Sequence, residues 1–325
     1  MLKISTAPHL NSPLSTRGIM LNVIIAMLPA LAVGLLSFGM AALQVVVTAV
    51  AGCVLCEYLI SRYLMKQSDA AGDLSAVVTG MLLAFNLPAG MPVWMTLIGC
   101  FMAVGVTKMA FGGIGKNLFN PALVGRVFLF ISFPVQMTRW QNPDWLNFMN
   151  TDVQTGATPL GVLKHIDAAT SATQTNLPGY FDMFVGNTGG CIGEVSTLAL
   201  LLGLAYMLYK HIITWEIPFY YLATFFILVG VHWLLTDDIR LDPVTHLLSG
   251  GLMLGAIFMA TDYTTSPMSR RGKVIFGIGC GVLTYIIRIY SVYPEGVSFA
   301  ILIMNAFVPL IDMISVPRIF GVRER

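Results

Sequence analysis

The chain has 325 residues, of which 56% are hydrophobic and only 10% charged, against about 25% charged in an ordinary soluble domain. A mean hydropathy of +0.78 and a net charge of +2 leave too little charge to coat a water-soluble surface and no basic stripe for nucleic acid. Five cysteines make no disulfide scaffold, and apolar runs of about 20 residues exclude the alternating ten-residue strands of an outer-membrane barrel.

Taken in chain order, residues 1–18 form a polar segment with no small-residue cleavage site after the apolar run that follows. That run therefore reads as a retained membrane helix and not as a signal peptide. Spans are expected at about 19–38 and 40–60. The second contains Cys53-Val-Leu-Cys56 in the middle of an apolar helix. With no second pair and no flanking glycines, these two small residues on one helix face read as packing, not as a redox or iron–sulfur motif. A short third span, about 74–88, is broken by Asn86 and Pro88, and a fourth follows at about 92–110. Gly112-Gly113-Ile-Gly115-Lys-Asn117-Leu-Phe119-Asn120-Pro121 then leads into a short fifth span, about 121–135, in which Arg126 is embedded.

Residues 136–193 are too polar to cross. Beyond them lie five more spans, at about 194–210, 217–235, 246–261, 273–290 and 297–315, and a tail at 316–325. The fold expected is an all-α membrane protein of about ten helices, with the long loop separating five-helix halves at 19–135 and 194–315. Placing residues 1–18 in the cytoplasm puts thirteen of the 18 Lys and Arg residues inside. Only Arg139, Lys164, Arg240 and Arg288 fall outside, so both termini are inside and the loop is extracytoplasmic. An odd number of spans per half inverts the second against the first. Thr79-Gly80-Met-Leu-Leu echoes Gly250-Gly251-Leu-Met-Leu, and Gly115 with Phe119-Asn120 echoes Gly296 with Phe299 and Asn305. Interrupted helices in inverted repeats free backbone groups near the midplane to bind something, although Gly and Pro also serve packing alone.

Charged residues in or beside spans are Glu57, Lys108, Arg126, Arg288 and Asp312. Four sit near span ends, where snorkelling or interfacial pairing accounts for them. Arg126 is the exception and would pair with a cofactor's polar edge or a neighbouring subunit. Asp262 has Arg270, Arg271 and Lys273 nearby in sequence as partners.

In the loop, Asp152-Val-Gln-Thr155-Gly156-Ala157-Thr158-Pro159 reads as a tight approach to a helix, with Thr158 as N-cap and Pro159 in the first helical position. The Thr158 hydroxyl is expected to be exposed. Capping alone would explain these residues. The stretch also resembles the D-x-x-T/S-G-A-T recognition motif of flavin transferase substrates, in which the last threonine is esterified to the phosphate of FMN.

The wider sequence resembles the D subunit of the Rnf ion-translocating oxidoreductase complex, in the RnfD/NqrB family. The resemblance rests on the glycine- and asparagine-rich stretch from Gly112 to Ala122, on His246-Leu-Leu-Ser249-Gly250-Gly251 and Ala260-Thr-Asp262-Tyr-Thr-Thr-Ser-Pro267, and on Tyr293-Pro-Glu295-Gly296 and Met304-Asn305-Ala306. It runs essentially from end to end, and the short segment before the first span favours the Rnf subunit over its longer sodium-pump relative. It implies a urea-transporter-like fold and a membrane subunit, not active alone, of a ferredoxin:NAD oxidoreductase that drives sodium or proton transport. It further implies covalent FMN on Thr158, with Asp152, Thr155, Gly156 and Ala157 completing the recognition motif, and a non-covalent riboflavin. Asn117, Asn120 and Asn305 are the riboflavin candidates, because amides both donate and accept. The alternative for these three is to satisfy backbone at helix breaks. The partners implied are Rnf subunits of types A, B, C, E and G, a flavin transferase and the lipid bilayer of a bacterial cytoplasmic membrane. No metal site and no nucleotide fingerprint is expected. The competing class is a small-solute channel of urea-transporter type, which the long flavin-motif loop argues against. A purely structural anchor is a third reading.

Overall fold

The computed structural model describes residues 15–66, 72–143, 145, 155–165, 178–236, 239–291 and 295–315. Among these the chain is helical, and its β pairing is an isolated antiparallel bridge between Gln141 and Thr155. Four helices are long and apolar enough to cross a membrane: Thr16–Leu64, Glu216–Thr236, Arg270–Tyr290 and Val297–Ser315.

Helix α1, Thr16–Leu59, starts where the Ser15 hydroxyl accepts from the Gly18 N–H at 3.1 Å. At 1.5 Å per residue its 44 residues would span far more than the ~30 Å of a hydrocarbon core. It is interrupted at Gly39, with φ 60° and ψ −140°, the point at which the apolar pattern divides into 19–38 and 40–60. α2 (Ser75–Phe85) stops at Asn86, and α3 (Val93–Cys100) runs on into a π-helical stretch, Phe101–Met109. In α4 (Pro121–Ser132), Asn120 is the N-cap and its side-chain oxygen accepts from the N–H groups of Ala122 and Leu123, with Pro121 in the first turn where no N–H is needed. A short α5 (Pro134–Met137) follows. In the polar interval lie α6 (Pro159–His165) and α7 (Tyr180–Val185).

The later helices are α8 (Thr197–Tyr209), α9 (Glu216–Thr236), α10 (Pro243–Leu248), α11 (Leu252–Leu254, continuing as a π-helix over Gly255–Met259), α12 (Arg270–Tyr290) and α13 (Val297–Ser315). One expected span, 246–261, is not continuous. α10 ends at Ser249, and Gly250 turns the backbone into the left-handed region at φ +69°. The reason is steric as well as conformational. A Cβ on Gly250 would lie 2.6 Å from Leu160 Cδ1 and 3.2 Å from an Arg288 nitrogen, so the break exists where other side chains cross the helix axis.

Packing follows small residues, as expected where lipid supplies no hydrophobic drive between helices. α2 meets α1 at Gly80, whose ideal Cβ would sit 2.7 Å from Val50 Cα and 2.9 Å from Ala49 O. α8 meets α1 at Gly203, 2.5 Å from Ala26 O on the same construction. Leu21, Leu28, Leu36 and Val47 on the far side of α1 are exposed, an apolar outer surface suited to lipid. Because the atoms facing Gly80 are backbone, Gly80→Ala is expected to force the α1–α2 crossing apart and cost about 1–3 kcal/mol. A lowered midpoint in thermal unfolding in lipid nanodiscs is the check.

Candidate functional site

The flavin-motif residues are built from a loop pinned at both ends. Gly156 N–H donates to Trp140 O at 3.1 Å, beside the Gln141–Thr155 bridge. A Cβ at Gly156 would fall 1.9 Å from Oδ1 of the exposed Asn142 side chain, so a larger residue here requires that side chain to swing aside. Two residues on, Thr158 caps α6 as its sequence suggested. Its hydroxyl accepts from Gly161 N–H at 3.1 Å, and its carbonyl accepts from Val162 N–H at 2.9 Å. Thr155 and Ala157 are exposed; Asp152 lies outside the described residues.

The expectation of an exposed Thr158 hydroxyl is corrected. Thr158 is only 7% exposed. The cause lies in its own helix: Leu160 and Leu163 are buried, and they draw the start of α6 into the molecule. Thr158 consequently faces a gap of about 10 Å³ whose lining includes Gly189, Gly190, Glu194, Gly250 and Glu295.

Beside that gap is an ion cluster assembled from both halves of the chain. Arg126, buried on α4, donates to Asn86 Oδ1 at 2.6 Å and to the carboxylate of Glu295. Asn86 in turn donates to Leu82 O at 2.6 Å. Glu194 accepts from Cys191 N–H through Oε1 at 2.9 Å, while its Oε2 is buried without a hydrogen-bond partner. Arg126 was expected to serve a cofactor or another subunit; the structure gives it Glu295 and Asn86 of the same chain. The donor atoms of Cys191, Glu194 and Glu295 lie within 4.8 Å of one another, but the guanidinium already occupies Glu295, which makes this an ion-paired cluster rather than a metal cage. Sequence reasoning singled out neither glutamate for a role. The signal was Arg126 itself, a buried cation that needed an anion.

The three asparagines fall at the other end of the breaks. Asn120 and Asn305 meet: the Asn305 amide, oriented to satisfy its neighbours, accepts from Asn120 N–H at 3.2 Å and donates to Thr265 O at 3.1 Å. Asn120 Nδ2 donates to Met259 O at 3.2 Å. Both amides are thus occupied with backbone at the breaks. Asn117 differs, since its side-chain oxygen is buried with no hydrogen-bond partner. Asn117 and Asn120 border a gap of about 80 Å³ that Ser75, Lys108 and Asp262 also line. Lys108 reaches Glu57 at 2.6 Å and Ser75 Oγ at 2.5 Å, with both ionic side chains 2% exposed. Of the snorkelling or interfacial pairing expected near span ends, the structure shows pairing, and the pair is buried. Asp262 is also reassigned. It accepts from the Thr264 and Thr265 hydroxyls at 3.0 and 3.1 Å, whereas Arg270 pairs with Glu216 at 3.0 Å. Cys53 and Cys56 are free thiols on α1, in keeping with packing.

At the far end of α10, Asp242 is the N-cap, accepting from Thr245 N–H at 2.9 Å and from the Tyr180 hydroxyl at 3.0 Å. Partial burial pushes its carboxyl up, but hydrogen bonds from Thr245, Tyr180 and Val244 outweigh that and hold it below the usual range. Its stabilisation is therefore present above the ordinary aspartate range and lost as pH falls through the lowered folded value. Asp242→Ala is expected to cost about 1 kcal/mol at neutral pH. Unfolding measured down a pH series should show the gap from wild type closing in acid.

Comparison with known proteins completes the description. A family model described as the NQR2, RnfD, RnfE family matches residues 3–321. The chain is 46% identical over 325 residues to the D subunit of the Na(+)-translocating ferredoxin:NAD(+) oxidoreductase complex of Acetobacterium woodii, covering 99% of this chain and 96% of that protein. It is 42% identical over 323 residues to the proton-translocating counterpart of Clostridium ljungdahlii, with the same coverage. It is 36% identical over 353 residues to the D subunit of an ion-translocating oxidoreductase complex of Escherichia coli, covering 100% of this chain and 99% of that one.

Proposed function

Because the chain belongs to the NQR2, RnfD, RnfE family, we propose that it is the D-type membrane subunit of an ion-translocating ferredoxin:NAD oxidoreductase, bearing FMN esterified to Thr158. In this reading it works only within a complex that contains the other Rnf subunit types, in a bacterial cytoplasmic membrane. The chain crosses that membrane ten times as two inverted five-helix halves of urea-transporter type, 19–135 and 194–315. The segments 1–18 and 316–325 are cytoplasmic, and the 136–193 loop is outside. A flavin transferase attaches the FMN. A riboflavin lies at the gap beside Asn117, whose unpartnered oxygen supports it, with Asn120 and Asn305 shaping the breaks around it.

The observation that carries the reading is the construction around Thr158. The loop approaches through Gly156, against which the Asn142 side chain lies, and the acceptor oxygen sits at a helix start facing a gap that Glu194 and Glu295 line. An esterified Thr158 keeps lone pairs on Oγ1, so the acceptor role toward Gly161 N–H survives attachment. Its burial means that a transferase must reach the hydroxyl before α6 packs down or with α6 lifted. FMN, when bound, supplies one- and two-electron transfer; the chain anchors it, excludes water and surrounds it with fixed charge. The chain holds no nucleotide fingerprint of its own, so electrons must come from and leave to partner subunits. Against a passive channel stand the buried Arg126 and the Lys108–Glu57 pair, which fill the regions of the helix breaks with charge.

The test is direct. The full chain, co-produced with a flavin transferase, should give a fluorescent band after denaturing electrophoresis and an intact mass increased by one FMN. A chain of unmodified mass from that host would sink the proposal.

A further inference from the structure

The break at Gly250-Gly251 gathers charge from distant parts of the chain. A Cβ built on Gly251 would lie 3.0 Å from Glu194 Oε2 and 3.4 Å from an Arg126 nitrogen, and one built on Gly250 would lie 3.2 Å from an Arg288 nitrogen. Around Glu194 therefore stand Arg126 from α4, Arg288 from α12, Glu295 ahead of α13, the Cys191 thiol, and Thr158 of the α6 cap across the gap. Their hydrogen bonds are unevenly shared. Arg126 donates to Glu295 and to Asn86 Oδ1, and Arg288 is committed to the carbonyls of His246 and Ser249. Glu194 receives the Cys191 N–H on Oε1 at 2.9 Å. Its Oε2 is buried with no hydrogen-bond partner, although Glu194 borders the gap that Thr158 faces.

An ionised Glu194 meets two penalties there. A buried charge without a donor on one oxygen keeps much of its desolvation cost. A second carboxyl group, that of Glu295, also stands within 4.8 Å, and two carboxylates that share a site resist being ionised together. A proton on Glu194 removes both penalties and turns the unpartnered acceptor into an O–H donor. Glu295 is the one that stays ionised, because Arg126 already holds it in a charge-assisted hydrogen bond. Glu295 is also the more open of the two, partly exposed where Glu194 is buried.

We propose that Glu194 is a proton-binding site, loaded in the resting fold, that hands its proton to Glu295 when Arg126 turns from one carboxyl group to the other. The O–H bond of Glu194 breaks as one forms on a Glu295 oxygen, and the guanidinium moves to the carboxylate left behind; no electron is exchanged. An outward direction rests on the topology proposed above, whereas the proton site needs neither that topology nor a flavin. Infrared spectra of the full chain at neutral pH, in a detergent without ester groups, test it. Wild type should show a carboxylic-acid C=O band that shifts in D2O and is lost in Glu194→Gln. Glu295→Gln should lose the band too, because Glu194 then ionises against the freed Arg126. Wild-type and Glu194→Gln chains with the same acid bands would overturn the site, and a band that persists in Glu295→Gln would overturn the hand-off. Should Glu194→Gln not fold, wild type labelled with carboxyl-13C glutamate decides. An isotope-shifted acid band that Glu295→Gln abolishes supports the site, and no shifted band overturns it. The band is expected with or without FMN on the chain, so this test and the attachment test fail separately.

Discussion

Thr158→Ala is expected to abolish covalent flavin completely and, with it, ferredoxin-dependent NAD reduction and ion transport by the assembled complex. The change acts in two ways that differ in size. It removes the only hydroxyl in the motif positioned at the start of α6, where Oγ1 accepts from Gly161 N–H at 3.1 Å. Loss of that cap costs about 1 kcal/mol, which a helix already tied down by buried Leu160 and Leu163 should survive. If the flavin proposed for Thr158 carries the electrons of the complex, its loss should drop activity to background rather than by a few-fold. Thr158→Asn separates the two effects, because asparagine caps as well as threonine but has no hydroxyl to esterify. The expected result is a stable, assembled and non-fluorescent chain with no turnover. Turnover at the wild-type rate in a Thr158→Asn complex free of flavin on this chain would instead favour a structural anchor. The exposed Thr155 hydroxyl supplies a further control, since Thr155→Ala leaves the capping oxygen in place.

Much of this architecture could be read from sequence because its signals are local. Asn120-Pro121 specifies a cap and a first helical position within two residues, and the structure uses both. Gly39 separates two apolar runs because a residue without a Cβ is where the left-handed turn is cheapest. Ser269 and Thr158 cap α12 and α6 by the same short-range logic. What the sequence concealed depends on residues that are distant along the chain. Glu57 and Lys108 are 51 residues apart; each alone looks like an interfacial charge, and only their meeting makes a buried pair. Arg126 and Glu295 are separated by 169 positions. The burial of Thr158 follows from Leu160 filling the space that Gly250 leaves, a fact of neither local sequence. Hydropathy likewise ran 246–261 as one span, since a glycine pair does not lower it enough to reveal a break made by side chains from α6 and α12.

The Arg126–Glu295 pair is where substitution should damage the fold most. Arg126→Met is expected to destabilise the protein by about 3–5 kcal/mol, the usual cost of stranding one member of a buried pair. Glu295, 13% exposed in its side chain, would keep a carboxylate with no cation against it, close to Glu194, whose Oε2 already lacks a partner. Asn86 Oδ1 would lose its 2.6 Å donor as well, and this is the residue that ends α2. The charge cost and the hydrogen-bond cost are separable. Glu295→Gln alone should be milder, because an amide still accepts from the guanidinium and the remaining Arg126 retains Asn86 and the neighbouring Glu194 charge. In the double variant Arg126→Met with Glu295→Gln, the stranded carboxylate is gone, so part of the loss should return, and the coupling between the two sites should be of order 1–3 kcal/mol. Thermal unfolding of all four chains in lipid nanodiscs measures this cycle. Strict additivity would mean that the pair contributes nothing beyond its two separate desolvations. The cluster would then have to be held by Asn86 and the backbone of 190–194, and Arg126 would be conferring geometry on the Thr158 gap rather than stability on the bundle.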